Sequence, residues 1–534
     1  MILRNKYFMI ALVAVLISTV YWSVFGAHAL STYHEYADLG LYTLDMYYHV
    51  TYPAAVHGLQ YLIFGTHVAP DQILLLPFFA MAESPLTLLV MQAVIVSFTG
   101  LALFFIARDL LKSDKIALIL CLAFLLNPGV HGIMVFDYHA ELLIPLFFLT
   151  TFYFLVKRRK YAFIVSLLLL LGTIEVAPFI CIGFGVTMAL YAIFREKDKA
   201  VRNSWLKYSA TAIVVSIIAF GFCSFVAGSL THSYAMGKYP DLPQISKLQS
   251  FSSQQLSSVG AAFAAGGAIS QYSSIFFGYL VFALVIVFLG FGVSSLFDPL
   301  FAILFVAPWL FEVFIVGNSE FIFTWNQYFS YTVAGAAAVA ILALRNFNDS
   351  EETKNFLSFF RHKNKVKKYV IASIPICAVL LLLASPMFLF SKNVNNLQQD
   401  LLFQTSQGER QQIQQLNSMV ALVPKNASVM GTFFTLPQLS LRKYVELIAS
   451  EPNQDKVVPR NATGATDVYG MWFQPDYILV DFSQYISLNA ATGYQIQNFI
   501  NITGATVTST NVSFNGPYRI YAYNGTALLL KRAS

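Results

Sequence analysis

Two stretches of this chain gather side chains able to move a proton or hold a cation. Residues 28–71 (HALSTYHEYADLGLYTLDMYYHVTYPAAVHGLQYLIFGTHVAPD) carry His28, His34, His49, His57 and His67, the acids Glu35, Asp38, Asp45 and Asp71, and no Lys or Arg. Farther on, FDYHAE spaces Asp137, His139 and Glu141 two residues apart. Alternate residues of an extended chain face one side. This turn could therefore aim two carboxylates and an imidazole at one point, an oxygen-and-nitrogen set for a divalent metal such as Mg2+ or Mn2+. Asp38, in YADLGLY, reads either as a helix N-cap or as a catalytic or ligand-binding acid. The absence of basic neighbours favours the second reading, because carboxylates without a cation need a proton, a metal or a ligand.

The surroundings of these groups are apolar. The chain has 534 residues, 57% hydrophobic and 11% charged, with a mean hydropathy of +0.62. Soluble chains carry about 25% charged residues, so this is an integral membrane protein whose first partner is the bilayer. Its net charge of +6 sits in short loops and reads as topology, not as a nucleic-acid surface. Cys121, Cys181, Cys223 and Cys377 all fall in apolar runs, which leaves no disulfide framework.

Tyr7–Ala27 reads as an uncleaved first span, too long and too poor in small-residue cleavage signals for a signal peptide. Further spans are expected at 85–107, 116–134, 142–156, 161–175, 176–194, 208–228, 273–292, 299–316, 329–344 and 369–390, about eleven in all. The 161–194 run holds two spans if it turns near Gly172–Pro178. Pro70, Pro77 and Pro85 make 72–84 a short apolar segment that dips into the interface. With the N-terminus inside, the inner loops hold 21 Lys/Arg and the outer loops hold Lys238 and Lys247, as positive-inside topology requires. The 28–71 segment, Asp137 and the tail are then outside. His34, His49 and His57 read as interfacial side chains, and the seven tyrosines of 28–71 as an aromatic belt.

Residues 1–390 thus form the membrane domain and 391–534 a second, polar domain. Leu397–Val420 has the spacing of a helix, and Ala427–Thr432 and YILVD (Tyr477–Asp481) read as buried strands. Asn524-Gly525 is a hairpin signal between Tyr518–Tyr523 and Thr526–Leu530. A small α/β unit outside the membrane is expected. Five sequons, at Asn426, Asn461, Asn501, Asn511 and Asn524, agree with an outside surface.

The ordered set YHEYADLGLY, GTHVAPDQILLLPFFAMAESPLTLLVMQA, FDYHAE, the Glu175 region, Asp298-Pro299, NQYFSY and PDYILVD resembles an uncharacterised multi-pass membrane family, common in prokaryotes, known as domain of unknown function 2079. Its plan is similar to the GT-C glycosyltransferases: an acidic first outer loop, a second acidic motif after the third span and a soluble outer domain. That resemblance implies a GT-C-like transfer of sugar from a polyprenyl-phosphate donor on the outer face of the plasma membrane. Asp38 matches the first-loop acid, the expected base. Asp137, with His139, matches the second-loop acid as the expected metal or donor site, and Glu35, His67 and Glu175 are expected to bind substrate. The rival expectations are a transporter with an ion path through Glu175, Glu312 and Glu320, and a non-enzymatic surface assembly protein that acts through its tail.

Overall fold

The computed structural model describes residues 5–35, 37–56, 58–65, 67–235, 285, 289–297, 302, 304–305, 307, 330–348, 363–383, 402–432, 434–447, 475–481, 505–508, 511–514 and 518–533. His57, Lys238, Lys247, Asp298-Pro299, Glu312, Glu320, NQYFSY, the sequons at Asn461 and Asn501, and most of the spans expected at 273–292 and 299–316 lie outside the described residues.

The fold is mostly helical. Helix α1 (Lys6–Ser31) starts on Asn5, whose side chain accepts from the Tyr7 and Phe8 amides. It packs along α4 (Pro85–Leu111), which the Ser84 cap and Pro85 start in the way helices favour. Between them, 28–71 is not an open loop. It contains α2 (Ala37–Thr51), a two-residue antiparallel pair, β1 (Ile63–Phe64) with β2 (His67–Val68), and a turn leading into the short α3 (Leu76–Met81). In that last segment Phe78 and Met81 are exposed.

The span expected at 116–134 is broken into α5 (Asp114–Leu125) and α6 (Pro128–Val135), bent by 45°. Pro128 cannot continue α5, and Asn127 caps α6 by accepting from the Gly129 amide. His131 Nε2 lies 3.0 Å from the Leu125 carbonyl, one of the acceptors that the break leaves without a helical partner. Then come α7 (Ile144–Val156), α8 (Lys160–Leu171), α9 (Ala177–Arg195) and α10 (Lys199–Ala235). The turn expected near Gly172–Pro178 is the α8–α9 junction. The expected 273–292 span does not stay helical to its end, because Gly290–Val293 is extended as β3. Gly292 there has φ +67 and lies so close to the Ile374 backbone that a Cβ would collide. Helices α11 (Ser330–Asn348) and α12 (Lys363–Leu383) complete the membrane part among the described residues. Among them, α1, α4, α9 and α10 are long and apolar enough to cross a bilayer, with the bent α5–α6 pair as a fifth candidate.

In the tail, α13 (Gln407–Ala421) opens with a reciprocal Ser406–Glu409 capping box. Strands β4 (Val429–Gly431), β5 (Val445–Leu447), β6 (Tyr477–Asp481), β9 (Tyr518–Tyr523) and β10 (Ala527–Arg532) form one sheet in the order β5-β4-β6-β10-β9. β4 is parallel to β5 and β6, and β10 is antiparallel to β6 and β9. YILVD is buried on both faces, as a central strand must be. The hairpin turns at Gly525, with φ +85. A further short helix, α14 (Leu436–Leu439), follows β4, and β7 (Ala505–Thr508) pairs with β8 (Asn511–Phe514) separately.

Candidate active site

The bent α5–α6 pair ends at Val135, and a residue from another helix holds that end. Gln92 of α4, a buried amide in an apolar helix, donates from Nε2 to the carbonyls of Ile133 and Phe136 at 2.8 and 3.1 Å. These are terminal acceptors with no partner inside α6. From this anchored end the backbone runs extended through Phe136 and His139 before turning into a short 3-10 segment at Ala140.

Asp137 and His139 therefore point the same way, and the N-terminus of α2 meets them there. The Leu39 amide donates to Asp137 Oδ2 at 2.9 Å, so Asp137 satisfies one of the open amides at the start of α2. Asp38 is not that cap. It lies inside the first helical turn, and its Oδ2 is 3.4 Å from His139 Nε2, while Asp137 Oδ1 is 3.1 Å from His139 Nδ1. Donor atoms of Asp38, Asp137 and His139 all lie within 4.8 Å of one another. Asp137 and His139 are buried, and the Asp38 side chain is 39% exposed. The cluster has a closed floor and one open acid. Glu141 does not join it. The turn at Ala140 ends the extended alternation, so Asp38 takes the place expected for Glu141.

Tyr42, one turn along α2, packs edge-on to His139 at 5.8 Å and to Tyr138 at 5.3 Å, and its hydroxyl accepts from the Ala140 amide at 3.4 Å. Gly65 closes against that ring. Any Cβ there would lie 2.9 Å from it, and φ is +64, so both geometry and space call for glycine.

The second pair is His67–Glu175. Glu175 Oε1 lies 2.7 Å from His67 Nδ1, and Oε2 accepts the Val68 amide at 3.0 Å. Glu175 reaches β2 because the α8–α9 turn is pinned: the Asp71 amide donates to the Gly172 carbonyl at 3.0 Å, and a Cβ on Gly172 would fall 2.3 Å from Asp71 Oδ1. His67 feels the charges of both Glu141 and His139, and Tyr42 those of Glu141, Asp38 and Glu175. The two pairs thus share one electrostatic neighbourhood.

Burial raises the Asp137 carboxyl above the usual range, against the pull of His139. Burial alone would lower His139, but Asp137 and then Asp38 outweigh it and hold the imidazole well above its ordinary value. His67 is likewise raised, with Glu175 outweighing burial. Asp71 is pushed up to about 7 by burial. Both imidazoles are thus biased toward the protonated form by the carboxylates beside them.

A family model described as Predicted membrane protein (DUF2079) matches residues 2–524. The chain belongs to this family. No curated protein matches it. The DUF2079 match takes in Asp38, His67, Asp137, His139, Glu175 and the tail strands β4, β5, β6 and β9.

Of the other expected site residues, Glu35 is buried and outside the three-residue cluster. His34 is turned toward Glu409, with 3.2 Å between Nε2 and Oε1. His49 stacks on Phe64 at 4.4 Å between ring centroids. Gln92, Tyr42, Gly65 and Gly172 also shape the site. Of these, Gln92 alone stands out in the sequence, as an isolated polar side chain within an apolar span.

Proposed function

We propose that this protein is a GT-C-like membrane glycosyltransferase that moves a sugar from a polyprenyl-phosphate donor to an acceptor hydroxyl on the outer face of the plasma membrane. In this reading the chain crosses about eleven times, the N-terminus is cytoplasmic and the tail is an outer α/β domain. The arrangement along α4 supports that polarity. At its far end Arg108 pairs with Asp114, and Asp109 pairs with both Lys112 and Lys157, while the acid-rich, Lys/Arg-free segments lie toward its start.

The observation that carries the proposal is the half-exposed Asp38 standing over the buried pair Asp137 and His139. Asp38 takes the proton from the acceptor hydroxyl. The acceptor oxygen bonds to the anomeric carbon, and the bond from that carbon to the phosphate oxygen breaks, with its electron pair leaving on polyprenyl phosphate. Asp137 and His139 orient Asp38 and balance its charge. His67, partly exposed and held by Glu175 at 2.7 Å, is the basic side chain offered to the donor phosphate in loops that lack Lys and Arg.

The cluster also fits a divalent ion. Ligand atoms around one ion at about 2.1 Å stand up to about 4.2 Å apart, so the 4.8 Å limit needs only a small closing shift. Asp137 Oδ1, buried and 3.1 Å from His139 Nδ1, would exchange that contact for a bond to the ion. An imidazole ligand favours a transition ion such as Mn2+ over Mg2+. Bound by Asp38, Asp137 and His139, the ion would supply counter-charge for the departing phosphate.

The test is transfer by protein reconstituted in liposomes with Mn2+ and a panel of labelled polyprenyl-phosphate sugars. Release of polyprenyl phosphate with label on an acceptor is expected. No turnover of any donor in the panel would reject the reading.

A further inference from the structure

Helix α2 has two apolar faces. Leu39, Tyr42 and Met46 pack into the membrane body, while Ala37, Leu41, Leu44 and Tyr48 belong to the tail's own core with Leu416, Met419, Leu436 and Tyr477. The spacing in each set is three or four residues, one helical stripe apiece. At Gly40 the helix touches α14 so closely that a Cβ would stand 2.9 Å from Leu436 Cγ and 3.0 Å from the backbone of Leu436 and Pro437. The Tyr48 hydroxyl donates to the Lys443 carbonyl, and Gln438 Nε2 donates to the Leu30 carbonyl at 2.8 Å.

Just before α2, Tyr33 ends α1 in an unusual way. The His34 amide donates to the Ala29 carbonyl and the Tyr33 amide to the Leu30 carbonyl, the Schellman pattern in which glycine is the usual left-handed residue. Here that residue is a tyrosine at φ +60, and a left-handed non-glycine residue costs about 1–2 kcal/mol. Its ring offsets that cost elsewhere: it is 1% exposed, lies in the tail core, and its hydroxyl donates to Asn417 Oδ1 at 2.8 Å. The charge of Asp481, at the carboxyl end of β6, reaches the same hydroxyl. That end, with α14 after β4, is the edge at which parallel α/β sheets hold their ligands. In this chain it holds Tyr33 and Gly40.

We propose that the tail domain is a positioning element for the site: its carboxyl edge grips Tyr33 and Gly40, which fixes α2 and keeps Asp38 against His139. The inference rests on Asp38 being the acting acid, and its test needs neither sugar transfer nor metal. Asp38→Cys and His139→Cys are combined in the full-length protein, and bridging of the two thiols by dibromobimane is read as fluorescence, with each single cysteine variant as background. Trypsin cleavage at exposed Lys443 reports undocking of the tail. Tyr33→Gly, which removes the backbone strain but also the ring, and Gly40→Leu are then added separately. Both are expected to speed cleavage and to lower bridging at least tenfold, while Tyr48→Phe, which keeps its ring in the tail core, lowers it less. Unchanged bridging in the first two variants, with or without faster cleavage, would overturn the proposal. Bridging lowered as expected, in a protein whose wild type transfers no sugar, would reject the reaction assignment and leave the positioning role standing.

Discussion

The Leu39 amide donates to the Asp137 carboxylate at 2.9 Å, joining positions 98 residues apart and setting the start of α2 over the end of α6. One carboxylate oxygen caps the helix that carries Asp38, and the other faces His139. The same side chain therefore has a structural and a chemical duty, and substitutions can separate them.

Asp137→Ala removes both. A lost N-cap costs about 0.5–2 kcal/mol, so amide exchange in residues 37–43 should quicken by about twofold to about thirtyfold, at about 1.4 kcal/mol per tenfold. Asp137→Asn keeps an acceptor for Leu39 and should leave that exchange near wild type while still weakening Mn2+ binding. Equal exchange in the Ala variant and wild type would remove the capping role.

Metal binding should depend on pH with a definite sign. His139 must lose its proton to ligate, and its neighbours raise its pKa. Mn2+ affinity should therefore climb by about tenfold per pH unit below that raised value and keep rising past neutrality, where an ordinary histidine site has levelled off. Paramagnetic resonance titration of free Mn2+ from about pH 6 to about pH 8 reads this directly. Affinity that is flat across the range would exclude His139 as a ligand.

Asp71 gives a stability prediction of opposite sense to most carboxylates. Its folded pKa, about 7, is above its unfolded value, so the folded state binds more protons between roughly pH 4 and 7 and stability falls as pH rises through that window. Asp71→Asn should raise the thermal midpoint in detergent at alkaline pH and leave it unchanged near pH 4. The gain is at most about 4 kcal/mol, since each tenfold change in proton affinity is worth about 1.4 kcal/mol. A midpoint lowered at alkaline pH would contradict the assignment.

Gly172→Ala should be far more damaging than a surface glycine change such as Gly408→Ala, which meets open space. Its Cβ would displace Asp71, and with it the turn that presents Glu175 to His67. The His67 imidazole should then lose its raised pKa, a change visible in its NMR titration. A titration curve unmoved from wild type would mean that the turn does not hold Glu175.

The acids themselves were legible in the sequence, because Asp38 and the Asp137–His139 pair stand in segments free of Lys and Arg. Their mutual geometry was not. It depends on Gln92 holding the end of α6, on a helical start at Ala37 in what reads as a polar loop, and on the turn at Ala140 that removes Glu141 from the set. Each is a contact between distant parts of the chain. The tail strand YILVD and the Asn524-Gly525 hairpin followed from local pattern and turn chemistry. The two-faced character of α2 did not, since apolar residues around a whole helix look the same whether they meet one neighbour or two. Tyr33 gave no sign either, because its left-handed backbone is imposed by the tail it binds.

The most direct test of Asp38 as the acting base is Asp38→Asn, purified, reconstituted and assayed for transfer from a polyprenyl-phosphate sugar that the wild type turns over. Asn preserves shape and the half-exposed position but takes up no proton, and general-base catalysis is worth about 10²–10⁴-fold. The expected result is a fall in kcat within or beyond that range, with α2 exchange and Lys443 cleavage at wild-type rates. Transfer at the wild-type rate would contradict it.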